Sequence, residues 1–373
     1  MKFTIPTQEF NYLINRCLNI IPTKTTLPIL GNLLIEAADG TLSITSSDLT
    51  VGVRCSAEVN IEEAGSTTLP AKKLAQLVRE LTAVNVQVST NTSHITEIRA
   101  DSSRFKLHGM SKESFPSLPD LSGAVKFKTK QSEFKDVLSR TAFAVSREEN
   151  RFVLTGVCMS LAQGIATFIG TDGKRLARNI LPVSVDHALK ASYVMPIKAI
   201  EEVLKVLGDE GDVIVYLAPD KLAFETEDTF IVTKLLEGEY PDLNQVIPQS
   251  VPNKVTLHRD ELVVLLKQVG LFSGEKNQVR FLFKDGELKL SAHSPEHGEG
   301  RVSMPANYHG APLEIAFNPG LLVDILRHNR GETVSLGMTD AHNPGVITDD
   351  TEKEFAGATA NPLYVLMPMR LEE

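Results

Sequence analysis

The sequence is poor in cysteine and has no long apolar segment. Its three cysteines, Cys17, Cys55 and Cys158, are odd in number and widely spaced, and they form no paired metal-ligand pattern. There is no run of about eighteen apolar residues, so no transmembrane helix is predicted. Residues 1–6 lack the apolar stretch of a secretory signal peptide. These absences predict a protein of the reducing cytoplasm that has no membrane partner.

The chain also has fewer basic than acidic residues. The chain carries 38 Lys and Arg against 47 Asp and Glu, a formal net charge of −9. Because sequence-independent binding of nucleic acid depends on clustered Lys and Arg, this balance argues against binding over the whole surface. It permits binding only where basic residues are segregated on one face. The length of 373 residues exceeds one ordinary core, so two or three domains are expected.

An internal repeat is visible first as a recurring amphipathic helix. Apolar residues at positions 10, 13, 14, 17, 18 and 21 have the i, i+3, i+4, i+7 spacing of a helix with one buried face. The same offsets from Phe134 and from Leu262 give further apolar residues, although the pattern fades at the end of the third copy. The three copies begin about 125 residues apart, which indicates a repeated unit.

Two other markers recur at the same interval. A hairpin turn containing Gly is predicted at Gly40, Gly164 and Gly286, each between alternating strand-like segments, because Gly supplies the positive φ of such turns. Proline is predicted to open a second helix in each unit, since it is tolerated in a first helical turn; the three residues are Pro70, Pro196 and Pro319. Each unit is therefore predicted to contain two helices and several strands.

The repeat predicts an α+β fold of three domains, each with two helices and an antiparallel sheet. Boundaries are placed in the Pro-rich stretches at residues 115–119 and 240–252. The predicted domains are residues 1–122, 123–248 and 249–373. Such an array reads as a scaffold rather than as an enzyme.

The helix faces opposite the apolar stripes have a basic bias. At about 100° per residue, the positions turned away from the sheets hold eight basic and five acidic residues. A solvated helix face often has this composition, but here the sign opposes that of the whole chain. If these faces line one concave surface, that surface attracts phosphate. The basic residues are Arg16, Lys72, Arg79, Arg140, Lys198, Lys205, Lys267 and Arg327, and the acidic ones are Glu80, Asp136, Glu202, Asp260 and Asp324.

Particular motifs resemble the bacterial DNA polymerase sliding clamps, the beta subunit family of polymerase III. They are TLPILGNLL at 26–34 followed by ADGTL at 38–42, TDGKRLA at 171–177, and YVLMPMRL at 364–371, one in each repeat. The resemblance implies a homodimer in which two half-rings join head to tail as a six-domain ring around double-stranded DNA, without sequence preference. It also implies a non-catalytic processivity factor without cofactor or metal. The implied partners are a clamp loader, the polymerase III catalytic subunit and other replication or repair proteins.

The resemblance further implies a peptide-binding cleft between the second and third domains. Two methionines beside a rigid proline give an adaptable apolar surface in its tail, and Arg370 can bind a peptide carbonyl or carboxylate. Lys174 stands where the family often has His, Asn244 and Gln245 replace a more basic pair, and Glu372 and Glu373 extend the usual end. The cleft residues implied are Leu154, Thr171, Lys174, Arg175, Leu176, Pro241, Val246, Val365, Met367, Pro368, Met369 and Arg370.

Two more groups of residues follow from the resemblance. At the DNA, Lys24 replaces Arg and keeps its charge, whereas Phe152 and Val153 replace a frequent pair of tyrosines and lack their hydroxyls. At the dimer seam, the first domain of one chain would meet the third of the other. The DNA-proximal residues are Lys24, Arg79, Glu148, Arg151, Phe152, Lys198 and Lys205, and the seam residues are Lys72, Lys73, Arg104, Phe105, Leu271, Phe272, Glu296 and Glu299.

Other classes of function remain open to the sequence. Gly170 to Lys174 lacks the spacing of a phosphate-binding loop. His293, His297 and nearby glutamates resemble metal ligands, but Ser294 and Pro295 interrupt the helix that i, i+4 ligation requires. A hydrolase would turn over substrate with a divalent metal. A generic protein-interaction repeat would be a monomer that is indifferent to DNA topology.

Overall fold

The computed structural model describes residues 1–121, 123–349 and 362–371, and only the backbone at position 149. Two compact units are present: residues 1–135 with 198–235, and residues 136–197 with 236–373. Glu372 and Glu373, which extend the end that is usual in the family, lie outside the described residues.

Six α-helices occur in the described part of the chain, two in each sequence repeat. Their apolar stripes are buried: in the first helix Phe10, Leu13, Ile14 and Cys17 face the core, as the spacing predicts. Asn318 caps the last helix by accepting a hydrogen bond from the Leu321 backbone N–H, at 3.1 Å. The helices are α1 (Thr7–Leu18), α2 (Ala71–Arg79), α3 (Gln131–Ala142), α4 (Ile197–Val206), α5 (Arg259–Gly270) and α6 (Pro319–His328).

The strands pair antiparallel. In the first repeat they are β1 (Lys2–Pro6), β2 (Asn32–Ala38), β3 (Thr41–Ser47), β4 (Val51–Glu58), β5 (Asn60–Glu63), β6 (Gly65–Pro70), β7 (Asn85–Thr90), β8 (Ile95–Ala100) and β9 (Ser103–His108). In the second they are β10 (Val125–Lys130), β11 (Gly156–Ala162), β12 (Ile165–Thr171), β13 (Arg175–Pro182), β14 (Ala191–Pro196), β15 (Asp212–Leu217), β16 (Lys221–Glu225) and β17 (Thr229–Lys234). In the third they are β18 (Asn253–His258), β19 (Val279–Lys284), β20 (Glu287–Ser294), β21 (Gly298–Pro305), β22 (Leu313–Phe317), β23 (Thr333–Met338), β24 (Gly345–Thr348) and β25 (Leu363–Leu366). Strands β15 and β20 alternate buried with more exposed residues, the pattern of a sheet with one face on a core, whereas β24 and β25 are buried along their whole length.

The first unit contains two sheets. Sheet A has the strand order β5-β1-β7-β8-β9, and sheet B has the order β10-β15-β16-β17-β4-β3-β2-β6. Helix α1 packs on β3 and β4 of sheet B and on helix α2. Phe3 and Phe10 meet edge to face, with ring centroids 6.1 Å apart.

The second unit also contains two sheets. Sheet C has the strand order β14-β11-β12-β13-β25-β24-β23-β18, and sheet D has the order β21-β20-β19-β22. Helix α5 packs against α6 and against strands of sheet D. Phe281 and Phe317 meet edge to face at 5.4 Å in this core.

The compact units do not coincide with the sequence repeats because strands of neighbouring repeats share sheets. In sheet B, β17 of the second repeat pairs with β4 of the first, placing Val232 opposite Gly52. In sheet C, β25 of the third repeat pairs with β13 of the second, placing Val365 opposite Leu176. Each eight-stranded sheet is therefore continuous across a junction between repeats.

The turn markers are confirmed, and the proline markers need a correction. Gly40, Gly164 and Gly286 each have positive φ in a tight hairpin. Pro319 is the first residue of α6, as predicted. Pro70 and Pro196 instead end the preceding strands, and their helices begin one residue later. A proline there lies before the first helical turn, where the fixed φ of its ring also fits an extended backbone.

The predicted outward helix faces are wrong at two positions. Arg140 is buried, where it contacts Asp136 at 2.9 Å and Asp349 at 2.5 Å. Glu202 is buried as well and pairs with Lys205 at 2.6 Å. A charge can occupy such a site when an opposite charge compensates its lost hydration. In the described residues, no helix has the length and apolar character needed to span a bilayer.

Candidate functional site

The site implied by the last motif, at residues 364–371, lies where two strands from different repeats meet. β13 and β25 pair antiparallel, with Arg175 opposite Leu366 and Leu176 opposite Val365. The contact continues past the last strand, because the Met367 N–H donates to the Lys174 carbonyl at 2.9 Å. The tail residues 367–371 therefore leave β25 directly beside the turn that precedes β13.

An apolar cluster underlies this junction. Three of the predicted residues, Leu176, Val246 and Val365, belong to it. The sequence prediction missed the others, several of which lie in the linker read only as a domain boundary. The apolar spacing of Ile247 and Val251 within residues 240–252 was the available signal. The missed residues are Ile169, Leu243, Ile247, Val251, Val346 and Leu363.

The tail backbone is fixed by sheet D. The Met369 N–H donates to the carbonyl of Ala316 on β22 at 2.8 Å, and the Gln278 side-chain amide donates to the Arg370 carbonyl at 2.8 Å. Met367 nevertheless remains 39% exposed. A fixed backbone that presents a flexible, polarizable side chain is suited to apolar partners of varied shape.

The turn before β13 is held by its own side chains. The Thr171 hydroxyl accepts from the Gly173 N–H at 3.0 Å and donates to the Arg175 carbonyl at 2.6 Å. The Asp172 carboxylate accepts from the N–H groups of Lys174 at 2.9 Å and Arg175 at 3.0 Å. Gly173 has φ +82°, a conformation that favours glycine. The Lys174 side chain is exposed at this turn.

Arg175 is bound inside the site rather than exposed to a ligand. Its guanidinium donates to Asp172 at 3.1 Å, to Asp324 at 3.0 Å and to the Phe143 carbonyl at 3.0 Å. Its side chain is nearly buried. Since three of its donors are used within the chain, its geometry suits positioning of Leu176 next to it.

Two aromatic hydroxyls and one imidazole near the site have shifted pKa values. Burial raises the pKa of Tyr240 and of Tyr364 well above the usual range, so both are neutral donors. The Tyr240 hydroxyl donates to the Ile169 carbonyl at 3.3 Å. Burial lowers the pKa of His328, whose Nδ1 donates to the Asp324 carbonyl at 2.7 Å.

Other predicted cleft residues are not members of the apolar cluster of described residues. Leu154 is half-buried and its carbonyl accepts from the Ser146 N–H at 2.8 Å. Pro241 is exposed in the linker, and Pro368 is half-buried in the tail. Neither Leu154 nor Pro241 belongs to the apolar cluster formed by described residues. Asn244 bonds Asp242 through its amide at 2.9 Å.

The predicted DNA-proximal residues of the first unit differ in whether their charge is paired. Lys24 and Arg79 are exposed, Arg79 in the last turn of α2. Lys198 instead forms an ion pair with Asp48, and Lys205 pairs with the buried Glu202. Partner carboxylates offset part of the positive charge of these two lysines, which weakens their attraction for phosphate.

In the second unit, the predicted DNA loop contacts the turn before β13, residues 171–175, here named the cleft turn because it lies in the predicted cleft. Arg151 donates to the Asp172 carbonyl at 2.7 Å and lies 3.6 Å from Glu148. Phe152 is 56% exposed on the same 3-10 segment, Glu149–Thr155. The loop therefore presents an aromatic ring, as the sequence indicates, while its arginine is engaged within the chain.

The predicted seam residues of the first unit lie on and beside the last strand of sheet A. β9 pairs only with β8 among the described strands, so its other edge is open. Phe105 on β9 is half-buried and Arg104 is exposed. Lys72 and Lys73 are exposed in α2. An open strand edge with an apolar residue is a ready template for pairing with another chain.

The seam residues of the second unit divide into exposed and engaged ones. β21 is an edge of sheet D among the described strands. Leu271 is 74% exposed, whereas Phe272 packs on β21 so closely that a Cβ on Gly300 would lie 2.5 Å from its Cδ2. Glu299 pairs with Arg301 at 3.1 Å. Glu296 is exposed, and its N–H donates to the Ser294 hydroxyl at 3.3 Å.

The histidine pair considered as a metal site lies in a hairpin. His293 is in β20, opposite Glu299 of β21, and His297 precedes β21. Among described residues, no group of three or more His, Cys, Asp or Glu side chains is placed to hold a metal ion.

Three family models match the chain in succession. They are the N-terminal domain of the DNA polymerase III beta subunit over residues 1–119, its central domain over 128–242 and its C-terminal domain over 244–370. The order of the three matched domains is that of the three sequence repeats.

Relatives and solved structures agree with these matches. The chain is 45% identical to the beta sliding clamp of Chlamydia pneumoniae over 374 residues and 30% identical to that of Escherichia coli over 375, with both chains of each pair fully covered. A sliding clamp structure from Pseudomonas aeruginosa superposes with a TM-score of 0.94 at 27% identity, and one from Bacillus subtilis with 0.93 at 26%, again over both whole chains. The chain therefore belongs to the DNA polymerase III beta subunit family and functions as a DNA sliding clamp.

Proposed function

We propose that two copies of this chain close head to tail into a ring around duplex DNA, and that each copy holds partner peptides at the junction of β13 and β25. One observation carries the cleft assignment: the tail is anchored through the Met367 and Met369 backbones while the Met367 side chain stays exposed beside an apolar cluster. A surface of this kind binds apolar peptide side chains without large rearrangement.

The chemistry of the cleft indicates which peptides it would take. An apolar side chain would pack beside Met367 over the cluster containing Leu176 and Val365. Arg370, exposed at the end of the tail, would bind a peptide carbonyl or carboxylate. The peptides are expected to come from the polymerase III catalytic subunit, the clamp loader and other replication or repair proteins.

The ring would close through two identical seams related by a two-fold axis. Each seam would pair β9 of one chain with β21 of its partner, since both are sheet edges among the described strands. Leu271 would be buried against Phe105 at this contact, with Lys72, Lys73 and Arg104 near Glu296 and Glu299. Three domains per chain, at residues 1–122, 123–248 and 249–373, would then give a six-domain ring.

DNA would be retained by enclosure rather than by tight contact. The net charge of −9 opposes strong adhesion to DNA, and exposed cations such as Lys24 and Arg79 would supply a weak attraction for phosphate. Weak, sequence-independent attraction permits sliding. Such a clamp needs no catalytic residue or cofactor of its own, and it would work in the cytoplasm, where bacterial DNA is replicated.

The cleft is tested by deleting residues 367–371. The deletion is expected to abolish binding of the polymerase III catalytic subunit, measured by surface plasmon resonance, because the apolar tail is lost. Dimerisation, measured by analytical ultracentrifugation, is expected to persist. Met110→Asp is the matched control, because Met110 is a similarly exposed methionine in the other unit, and it should leave both properties unchanged. Unchanged polymerase affinity after the deletion would refute the cleft assignment.

A further inference from the structure

The turn beside the cleft has a counterpart of the same construction in the first repeat. The Ser47 hydroxyl accepts from the Leu49 N–H at 3.1 Å. The Asp48 carboxylate accepts from the N–H groups of Thr50 at 2.9 Å and Val51 at 2.7 Å. These are the bonds that Thr171 and Asp172 make in the cleft turn.

The agreement extends to the neighbouring strand. The Lys234 N–H donates to the Thr50 carbonyl at 2.9 Å, as the Met367 N–H donates to the Lys174 carbonyl at 2.9 Å. The turn at residues 47–51, here named the Leu49 loop, is therefore equivalent to the cleft turn residue by residue. In that correspondence Leu49 takes the place of Gly173.

Leucine at this position is strained and exposed. Leu49 has φ +74°, close to the +82° of Gly173. A branched aliphatic residue in left-handed conformation costs about 1–2 kcal/mol, and a glycine would avoid that cost. The Leu49 side chain is also 46% exposed, so burial in the core does not offset the strain. Strain retained at an exposed residue indicates a function for that side chain.

A second exposed leucine corresponds to a residue that contacts the cleft turn. Arg151 lies five residues before β11, and its Nη1 would be 2.6 Å from a Cβ on Gly173. Leu27 lies five residues before β2 and is 48% exposed. By this correspondence, the first repeat has a pair of leucines where the second repeat has an arginine beside a glycine.

We propose that Leu49, together with Leu27, is a second contact point for the folded body of the polymerase whose peptide is held in the cleft. The inference rests on the proposed ring and cleft. In a ring made by rotating one repeated unit about an axis, corresponding loops of the units lie on the same face of the ring. In the proposed ring, a polymerase tethered at the cleft turn would therefore face the Leu49 loop.

The loop is suited to a protein rather than to DNA. Aliphatic side chains make no hydrogen bond to phosphate, whereas a pair of exposed leucines can fill an apolar recess on a protein. The ion pair between Asp48 and Lys198 holds the Leu49 loop to helix α4, so little conformational freedom is lost on binding. Leu49 extends from a turn whose backbone is already ordered.

The test uses the full-length chain with Leu49→Gly and Leu49→Asn, two residues that accept positive φ. Neither variant should unfold at a lower temperature than the parent chain, because each relieves backbone strain. Affinity for the intact polymerase III catalytic subunit should fall about fivefold, the effect of losing one half-buried leucine. Affinity for a synthetic copy of its clamp-binding peptide should not change, because that peptide occupies only the cleft. Val84→Ser, which removes an apolar side chain that is 80% exposed elsewhere in the first unit, is the control.

The outcomes separate the two proposals. Weaker polymerase binding with unchanged peptide binding in both Leu49 variants supports the second contact. Unchanged polymerase binding in both, while the parent binds peptide and polymerase, overturns the second contact alone. If the parent chain binds neither peptide nor polymerase, the cleft proposal and this inference both fail. If the Leu49 variants lose no more affinity for the polymerase than Val84→Ser does, the inference is also overturned.

Discussion

Phe143 and His328 lie ring against ring, with centroids 3.9 Å apart and planes 8° from parallel. Phe143 follows α3 and His328 ends α6, so the stack joins the second repeat to the third within one compact unit. Arg175 also lies over the Phe143 ring, at 5.2 Å. The Tyr364 hydroxyl donates to the His328 carbonyl at 3.4 Å. These residues position β13 and β25, whose ends form the proposed cleft.

The His328 stack predicts that stability falls in mild acid. Burial holds the pKa of His328 below its ordinary 6.5, and the Arg175 and Arg140 charges lower it further while Asp324 opposes them. As pH falls below about 6.5, the unfolded chain therefore binds a proton before the folded chain does. The free energy of unfolding should decrease from that pH down to the folded pKa. Urea unfolding of His328→Gln at pH 7.5 and 5.5 should show a smaller decrease than the parent, and an equal decrease would contradict this role.

Arg175→Lys is expected to lower the free energy of unfolding by about 2–4 kcal/mol, because lysine cannot replace the planar set of donors. Asp324 and the Phe143 carbonyl would lose their partners. Arg301→Lys is the matched control, since the ion pair of Arg301 with Glu299 is exposed, and it should change stability by about 0.5 kcal/mol or less. The free energy of unfolding of both variants is measured by thermal and urea unfolding. Similar values for the two variants would show that the buried contacts of Arg175 are not stabilising.

Leu271→Asp is expected to weaken the proposed dimer. Leu271 is 74% exposed in the single chain, and burying a leucine at each of two seams contributes about 3 kcal/mol, or about a hundredfold in Kd. Sedimentation equilibrium measures the dissociation constant of the dimer. Glu299→Gln should have a much smaller effect, because Glu299 already pairs with Arg301 in its own chain. A dimer unaffected by Leu271→Asp would place the seam elsewhere.

The charge pairing predicts unequal contributions to DNA binding. Replacement of Lys24 or Arg79 by Ala should reduce the dependence of duplex affinity on salt concentration by up to about 0.9 in logarithmic slope. Replacement of Lys198 or Lys205 should reduce it less, because carboxylates already offset these charges. Fluorescence anisotropy across a salt series gives the slopes. If all four variants reduce the slope equally, the ion pairs of Lys198 and Lys205 must open when DNA binds.

Much of the fold was predictable because each repeat has its own local signals. The stripe beginning at Phe10 and the glycine turns depend on neighbouring residues alone, so their periodicity appears directly in the sequence. The pairing of β17 with β4 was not predictable. It depends on contacts between residues far apart in the chain, which no local pattern records.

The site was predictable only in part for the same reason. The motif around Met367 indicated the tail, yet the anchoring of Met369 on Ala316 requires knowledge of the edge of sheet D. The burial of Arg140 was missed because helical periodicity assigns a face but not the acidic partners that Asp136 and Asp349 provide. The role of Ile247 was missed because a Pro-rich linker was read as a boundary rather than as part of a core.

Retention on DNA of different topology tests the central claim most directly. The chain would be incubated with a bacterial clamp loader, ATP and nicked circular DNA, and the DNA-bound fraction would be isolated by gel filtration before and after a single restriction cut. Enclosure predicts that the chain stays with the circle and is released once the DNA is linear, because a ring can slide off an end. Equal retention on circular and linear DNA would contradict the ring.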